Sequence, residues 1–417
     1  MASSCLLVNL THEMGDRLGE TIDGPVTQRA TPRLLKNLNE RAVLEQIRTA
    51  APISRAEISR RAGISKPTVS LALESLLEAG LVREAEHDPD GPSYGAVFFE
   101  PVPEAAVVIG LDLGARFLRG AVCDLSGRTR ARQDVELVGP DAERAIDEIA
   151  DLCGSLVRAS GIDGDALDGV VIGVPGVVEA TSGRIALADN VPGLEERDFR
   201  HEVSARLDLP VTLDNDINLA AVGERWRGIA QGVDDFAFLS IGTGLGCGIV
   251  LRGELHRGHN GAAGELDFVR IGLGDEIDPC APAVAALAER LVADSSEGRA
   301  TSLEPPFDAR AVFAAARRDD TVARAVIEEE ARRIALHIVP IAAATDVALV
   351  VLGGGLGSNG DLLLAPVRER LAEWLLYPPR VEVSSLGDAA VLTGALAVGV
   401  RSARDNVFVN RVGGATG

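Results

Sequence analysis

Between Arg55 and Ser70 the chain sets out side chains suited to a polyanion. Arg55, Arg60, Arg61 and Lys66 offer cations to phosphate oxygens. Ser65, Thr68 and Ser70 offer short polar groups that reach phosphates or base edges. The spacing matters more than the count. Lys66, Thr68 and Ser70 fall within five residues, so on a helix they share one N-terminal tip, where a DNA-reading helix carries its contacts. A second set lies far downstream. Gly242-Thr243-Gly244 begins a glycine run whose backbone N–H groups could cradle a phosphate, or could form only a crowded hairpin.

The elements that position the first set are legible locally. A short helix is expected from about Ser54 to Ala62, and Gly63 permits a sharp turn. Ser65 caps a second helix, with Pro67 in its first turn, where a missing N–H costs nothing. Val69, Leu73, Leu76 and Leu77 give that helix one buried stripe. Asn37 to Ala50 supplies a first helix, and Arg29 to Lys36 a basic arm before it. After Leu81 and Val82 come a short strand, the loop from His87 to Pro92 and a strand from Tyr94 to Glu100. These predict a flexible tail over 1–30, a winged helix-turn-helix over 31–100 and a linker at Pro101 to Glu104. Two helices about a glycine turn could also be a plain hairpin; the cap, turn and polar tip in this order favour the DNA reading. One such helix per subunit suits a homodimer or homotetramer on an inverted repeat of double-stranded DNA.

Charge agrees with that division. The 417 residues carry a formal net charge of −21, a poor balance for a nucleic-acid binder taken whole. Residues 29–84 nonetheless hold ten cations against six carboxylates, a basic head on an acidic body. Cys5, Cys123, Cys153, Cys247 and Cys280 are scattered without metal or redox spacing, as in a reducing cytoplasm. No apolar run has membrane-spanning length, and the first residues do not read as a secretory leader.

From Ala105 onward the pattern is α/β. Apolar Ala105 to Leu111 ends at Asp112-Leu-Gly114, and strands near Phe117 to Cys123 and through Val135 complete a meander. Phe236 to Ile241, a glycine turn and Gly246 to Leu251 repeat it. Helices are expected at Asp141 to Ala159, Ala309 to Ala315 and Thr321 to Ala343, and a strand at Val347 to Leu352 enters Gly353-Gly-Gly355. Two related lobes with a cleft between them follow, split near 225–235, in a body spanning 105–417 whose last helix returns to the first lobe.

In order, Ile109-Gly-Leu-Asp-Leu-Gly114, Gly173-Val-Pro-Gly176, Asn190-Val-Pro-Gly193 and Leu213-Asp-Asn-Asp-Ile-Asn-Leu-Ala-Ala221 resemble the ROK family of repressors, open reading frames and sugar kinases. Ile241-Gly-Thr-Gly-Leu-Gly-Cys-Gly248, Gly258-His-Asn-Gly-Ala-Ala-Gly-Glu265, Leu352-Gly-Gly-Gly355 and Leu386-Gly-Asp-Ala-Ala-Val-Leu-Thr-Gly-Ala395 continue the resemblance, which covers residues 38–403. It implies a two-lobed, actin-like ATPase fold behind the winged head. It also implies a sugar pocket lined by Asn190, Asn215, Asp216 and Glu265, with Asp216 as the base, and phosphate loops at Asp112, Gly114, Gly242, Thr243, Gly244 and Gly354.

Departures redirect the function. Where the kinases have Thr or Ser on the first phosphate loop this chain has Arg116, a guanidinium that could still grip phosphate. Phe268 replaces the His that touches sugar and zinc, and Cys280 alone stands for the missing zinc-binding segment, which normally supplies several thiolates. In the head, Leu71 stands where Arg is common, and the wing reads Gly91-Pro-Ser-Tyr-Gly95 without a cation. The expectation is a cytoplasmic DNA-binding repressor with a degenerate kinase-like body: not an enzyme, Asp216 a vestigial base, no metal, no cofactor, and a sugar or sugar-phosphate effector. The alternatives are a working sugar kinase with a DNA-binding head, and a ligand-independent DNA-binding scaffold.

Overall fold

The computed structural model describes residues 32–86, 97–137, 141–179, 182–188, 191–266, 278–294 and 301–413. The expected tail over 1–30 and the wing tip, with Gly91 to Gly95, lie outside them. The head opens with α1 (Pro32–Ala50) and β1 (Ile53–Ser54), followed by α2 (Arg55–Ala62) and α3 (Lys66–Glu78). Then come β2 (Val82–Glu84) and β3 (Phe98–Pro101), and β3 pairs antiparallel with both β1 and β2. Local chemistry sets the boundaries. The Ser54 hydroxyl accepts from the Glu57 N–H and Ser65 from the Thr68 N–H, satisfying donors that open each helix. Gly63 has φ 67°, the left-handed backbone that a residue with a Cβ resists. Val43, Leu44, Ile47, Ile58, Val69, Leu73 and Leu76 close the three helices over one core.

The start of α1 moves, and the linker is ordered. Helix α1 starts at Pro32, so Arg33 and Lys36 ride on it rather than on an extended arm; Arg29 lies outside the described residues. The linker is not a free tether. Pro101 pairs with Val82 as the last residue of β3, Pro103–Ala105 form a 3-10 turn, and the Val102 N–H donates to the Leu81 carbonyl at 3.0 Å. Ile47, Leu81 and Phe99 of the head join Ala106, Cys123, Leu396, Val400, Phe408 and Val412 of the body in one continuous buried cluster.

The body contains one topology twice. Strands β4 (Val107–Leu113), β5 (Phe117–Asp124) and β6 (Thr129–Glu136) form the meander. Helix α4 (Ala142–Ser160) precedes β7 (Leu167–Val174), a β8 (Val177–Val178)–β9 (Ile185–Ala186) hairpin, α5 (Phe199–Leu207) and β10 (Val211–Asn215). Strands β7 and β10 add in parallel to β4, giving the order β10-β7-β4-β5-β6. Helix α6 (Asp216–Arg227) leads to β11 (Phe236–Ile241), β12 (Leu245–Leu251) and β13 (Glu254–Leu255). Helices α7 (Ala281–Asp294), α8 (Ala309–Ala316) and α9 (Thr321–Thr345) precede β14 (Leu349–Gly353), the single turn α10 (Gly354–Gly357), α11 (Gly360–Trp374) and β15 (Arg380–Val383). Their sheet reads β13-β12-β11-β14-β15, an antiparallel meander followed by two parallel strands, as in the first. Both faces of each sheet need cover, which explains why β4, β11 and β14 are apolar along most of their length. The last helix, α12 (Ala390–Phe408), packs on β4, β7 and α6.

Candidate functional site

At the head, the N-terminal half of α3 is open: Ser65, Lys66, Pro67 and Leu71 are exposed, and Thr68 and Ser70 half-buried. The hydroxyls are already engaged. Ser65 and Thr68 share a hydrogen bond at 2.8 Å, and Ser70 donates to the Lys66 carbonyl at 3.0 Å. Arg55 is exposed at the start of α2. Arg60 and Arg61 both reach Glu57, at 2.5 and 2.7 Å. Their hydrogen bonds hold the Glu57 carboxyl down at about 2, so it stays charged at neutral pH. The two arginines are therefore not independent cations, and Glu57 halves the charge they present together. The sequence carried the signal, since Glu57 stands three and four residues before them, the helical ion-pair spacing, but the arginines were read as free cations.

In the body, the chemistry gathers at the ends of β4 and β10. Asn215 closes β10 and caps α6: its side-chain oxygen accepts from the Asn218 N–H at 2.9 Å and its amide donates to the Gly176 carbonyl at 2.8 Å. Those contacts tie the Gly173–Gly176 turn to the helix start, a framework role for a residue expected to touch effector. Asp216 opens α6, and burial pushes its carboxyl up to about 7, with the Asp112 and Glu265 carboxylates adding to the rise. Glu265 is thus electrostatically coupled to Asp216. Asp214 is taken by Arg257, whose guanidinium lies 2.5 Å away on the loop that leads to Glu265. Asn190 and Phe268 lie outside the described residues.

At the first of the expected phosphate loops, the polar groups are taken up by protein. Asp112 lies within β4 and is buried, and Arg119 of β5 donates to it at 3.1 Å. Burial raises the Asp112 carboxyl to about 6 against the pull of Arg119. The same guanidinium lies 3.9 Å from Asp134 and 3.9 Å from Asp388. Arg116 pairs with Glu136 at 3.3 Å and stacks on Phe117. The Gly114 N–H is spent on the Phe117 carbonyl at 2.9 Å. The sequence reading missed Arg119 and Arg257. Arg119 had a signal, because the β4–β5 register sets it directly opposite Asp112.

The second pair of loops is open. Gly242 donates to the Gly244 carbonyl at 3.0 Å, Thr243 and Gly244 are exposed, and the turn faces Gly355. Gly354 has φ 76° and stands so close to Ile241 that a Cβ would fall 2.4 Å from its carbonyl oxygen. The Cys280 thiol donates to the Asp278 carboxylate at 3.2 Å, and burial pushes it up to about 11. Among the described residues no group of three His, Cys, Asp or Glu side chains could hold a metal ion, and no helix is long and apolar enough to cross a membrane.

Two family models match separate stretches of the chain. Residues 108–401 match the ROK family model and residues 37–91 the MarR family model. The chain is 28% identical over 383 residues to a xylose repressor of Caldicellulosiruptor bescii, covering 88% of this chain and 96% of the repressor. It is also 28% identical over 313 residues to a glucokinase of Halalkalibacterium halodurans, covering 69% of this chain and 93% of the kinase. A solved ROK family transcriptional regulator, a homologue of the E. coli MLC protein, superposes with a TM-score of 0.74 at 22% identity, over 91% of this chain and 99% of that one. The repressor's match takes in more of this chain than the glucokinase's does.

Proposed function

The chain belongs to the ROK family, with a MarR-type winged helix-turn-helix ahead of the kinase-like body, and we propose that it is a DNA-binding transcriptional repressor whose body binds a sugar-like effector without phosphorylating it. The observation that carries the reading is the open N-terminal half of α3, presented by a head whose core runs without a break into the body. Lys66 and Arg55 contact phosphate in this reading, Arg60 and Arg61 contribute a charge reduced by Glu57, and Thr68 and Ser70 approach base edges. A dimer or tetramer in the cytoplasm places two such helices on an inverted repeat, half-sites separated by whole turns of about 34 Å. The Arg119–Asp112 pair supports the absence of phosphoryl transfer, since a guanidinium already neutralises the carboxylate at the first phosphate loop.

One observation favours a second reading, a sugar kinase with a DNA-binding head. Asp216 keeps the position and raised proton affinity of a base that accepts a hydroxyl proton. Two assays on the full chain separate them. Gel shift against fragments of the source genome should find specific sites. Lys66→Ala should weaken binding on every sequence and reduce the slope of log affinity against log salt by about one. Coupled ADP release with glucose and xylose should stay at background. Sustained ADP release that Asp216→Asn abolishes would establish the kinase, and absence of any specific site would remove the repressor.

A further inference from the structure

On α3, Pro67, Ser70, Leu71 and Glu74 follow at i, i+3, i+4 and i+7, so they form one outward stripe. A lone exposed leucine needs no explanation on an arbitrary surface. Leu71 occupies the middle of the stripe that enters the groove in the reading above, and it is 66% exposed while its neighbours Ala72 and Leu73 are buried. The polar groups beside it are committed to the helix itself: Ser70 to the Lys66 carbonyl, Ser65 to the cap, Thr68 to Ser65. Beyond Leu71 the exposed stripe turns acidic at Glu74 and Glu78. Carboxylates are repelled by phosphate, so α3 enters by its N-terminal half. Leu71 is then its last side chain able to approach a base without carrying a carboxylate toward the backbone.

The major-groove edges of the four bases are donors and acceptors with one apolar exception, the C5 methyl of thymine. We propose that Leu71 is a specificity-determining residue that reads a thymine methyl in each operator half-site. The proposal rests on the DNA-binding reading and adds the base class to it. Leu71 also borders a groove of about 560 Å³ between α1 and α3, lined among others by Leu35, Lys36 and Glu40, so a protein contact there is the rival outcome.

The test uses the full chain. Operators are selected from a random duplex library, and each thymine of the selected site is then replaced singly by uracil, which removes the methyl and nothing else. At one position per half-site uracil should weaken wild-type binding by about fourfold, the value of one buried methyl group. Leu71→Ala should bind the thymine and uracil operators equally. Because Leu71 is exposed, the variant should melt with the wild type, which the same samples verify. A flat uracil series for the wild-type chain, or an equal uracil penalty in Leu71→Ala, overturns the proposal. So does a Leu71→Ala chain that keeps its base preference and changes only its oligomeric state. Failure of the library to enrich any sequence defeats the DNA-binding reading itself and is recognisable as such.

Discussion

Gly223 of α6 and Gly394 of α12 face each other where the two helices cross, so closely that a Cβ on Gly223 would lie 3.0 Å from the Gly394 nitrogen. The same added atom would sit 2.3 Å from the Ala390 carbonyl oxygen. The crossing fixes two functional ends against each other. Helix α6 begins at Asn215 and Asp216 in the cleft, while α12 runs from the neighbourhood of Asp388, beside Arg119, to Asp405 and Phe408 under the head.

Gly394→Ala should therefore be costly. Its Cβ would fall 1.8 Å from the Leu219 carbonyl oxygen, a backbone atom that cannot rotate away. The helices would have to part, and overpacking of this kind costs about 1–3 kcal/mol or more. Urea denaturation should show a lower midpoint for the variant. An unchanged midpoint would mean that α6 and α12 do not approach this closely in solution.

The attachment of the head allows a comparison between two neighbouring side chains. Arg41 meets Asp405 at 3.0 Å and stacks over the Phe408 ring at 4.6 Å, but both ends of the ion pair are about half exposed or more. Such a pair contributes about 0–1 kcal/mol. Phe408 is 3% exposed within the shared cluster, and Phe→Ala at such a site costs about 3–5 kcal/mol. Arg41→Ala should leave the melting temperature nearly unchanged, whereas Phe408→Ala should lower it and speed proteolytic cutting near residues 101–105. Equal effects of the two would show that packing does not hold the head.

These features differ in how far the sequence disclosed them. The α2–turn–α3 unit was readable because each signal is local: Ser54 and Ser65 cap, Gly63 turns, Pro67 opens. The start of α1 was missed because Leu34 and Leu35 lie among Arg33, Lys36 and Asn37 and are exposed, so they read as part of a basic arm rather than as a core-facing turn. Asp112–Arg119 and Asp214–Arg257 join residues on different elements. Only the sheet register or the approach of the second lobe brings them together. Arg116 was legible as an oddity but not as a partner of Glu136, which requires the register of the expected β5–β6 pair. The family motifs conveyed the cleft; they were silent on which of its carboxylates are already neutralised.

Stability should fall as pH rises through the cleft's titration. An unfolded aspartate titrates near about 4. In the folded chain burial holds Asp112 at about 6 and Asp216 at about 7. Between those values the native state binds protons that the unfolded chain has released, so these two groups favour folding at the acid end and lose that contribution as pH passes about 6 to 7. Asp216→Asn has no proton to lose. Its melting temperature should exceed that of the wild type at pH 8, with the gap closing toward pH 4. A gap that widens toward acid would mean that Asp216 is stabilised as the carboxylate.

Zinc should be absent from the purified chain. A structural zinc site takes about four ligands, and the thiolate is the form that binds. At Cys280 the thiol is pushed up to about 11 by burial and points to the Asp278 carboxylate, so it is protonated at neutral pH. Phe268 stands in sequence where the family's kinases carry His, and the other thiolates of their zinc segment have no counterpart between Asp275 and Ala285. Elemental analysis should find far less than one zinc per chain, and a chelator should leave the melting temperature where it was. Cys280→Ser should not change either result. About one tightly held zinc per chain, lost together with thermal stability on chelation, would mean that side chains from elsewhere complete a site around Cys280.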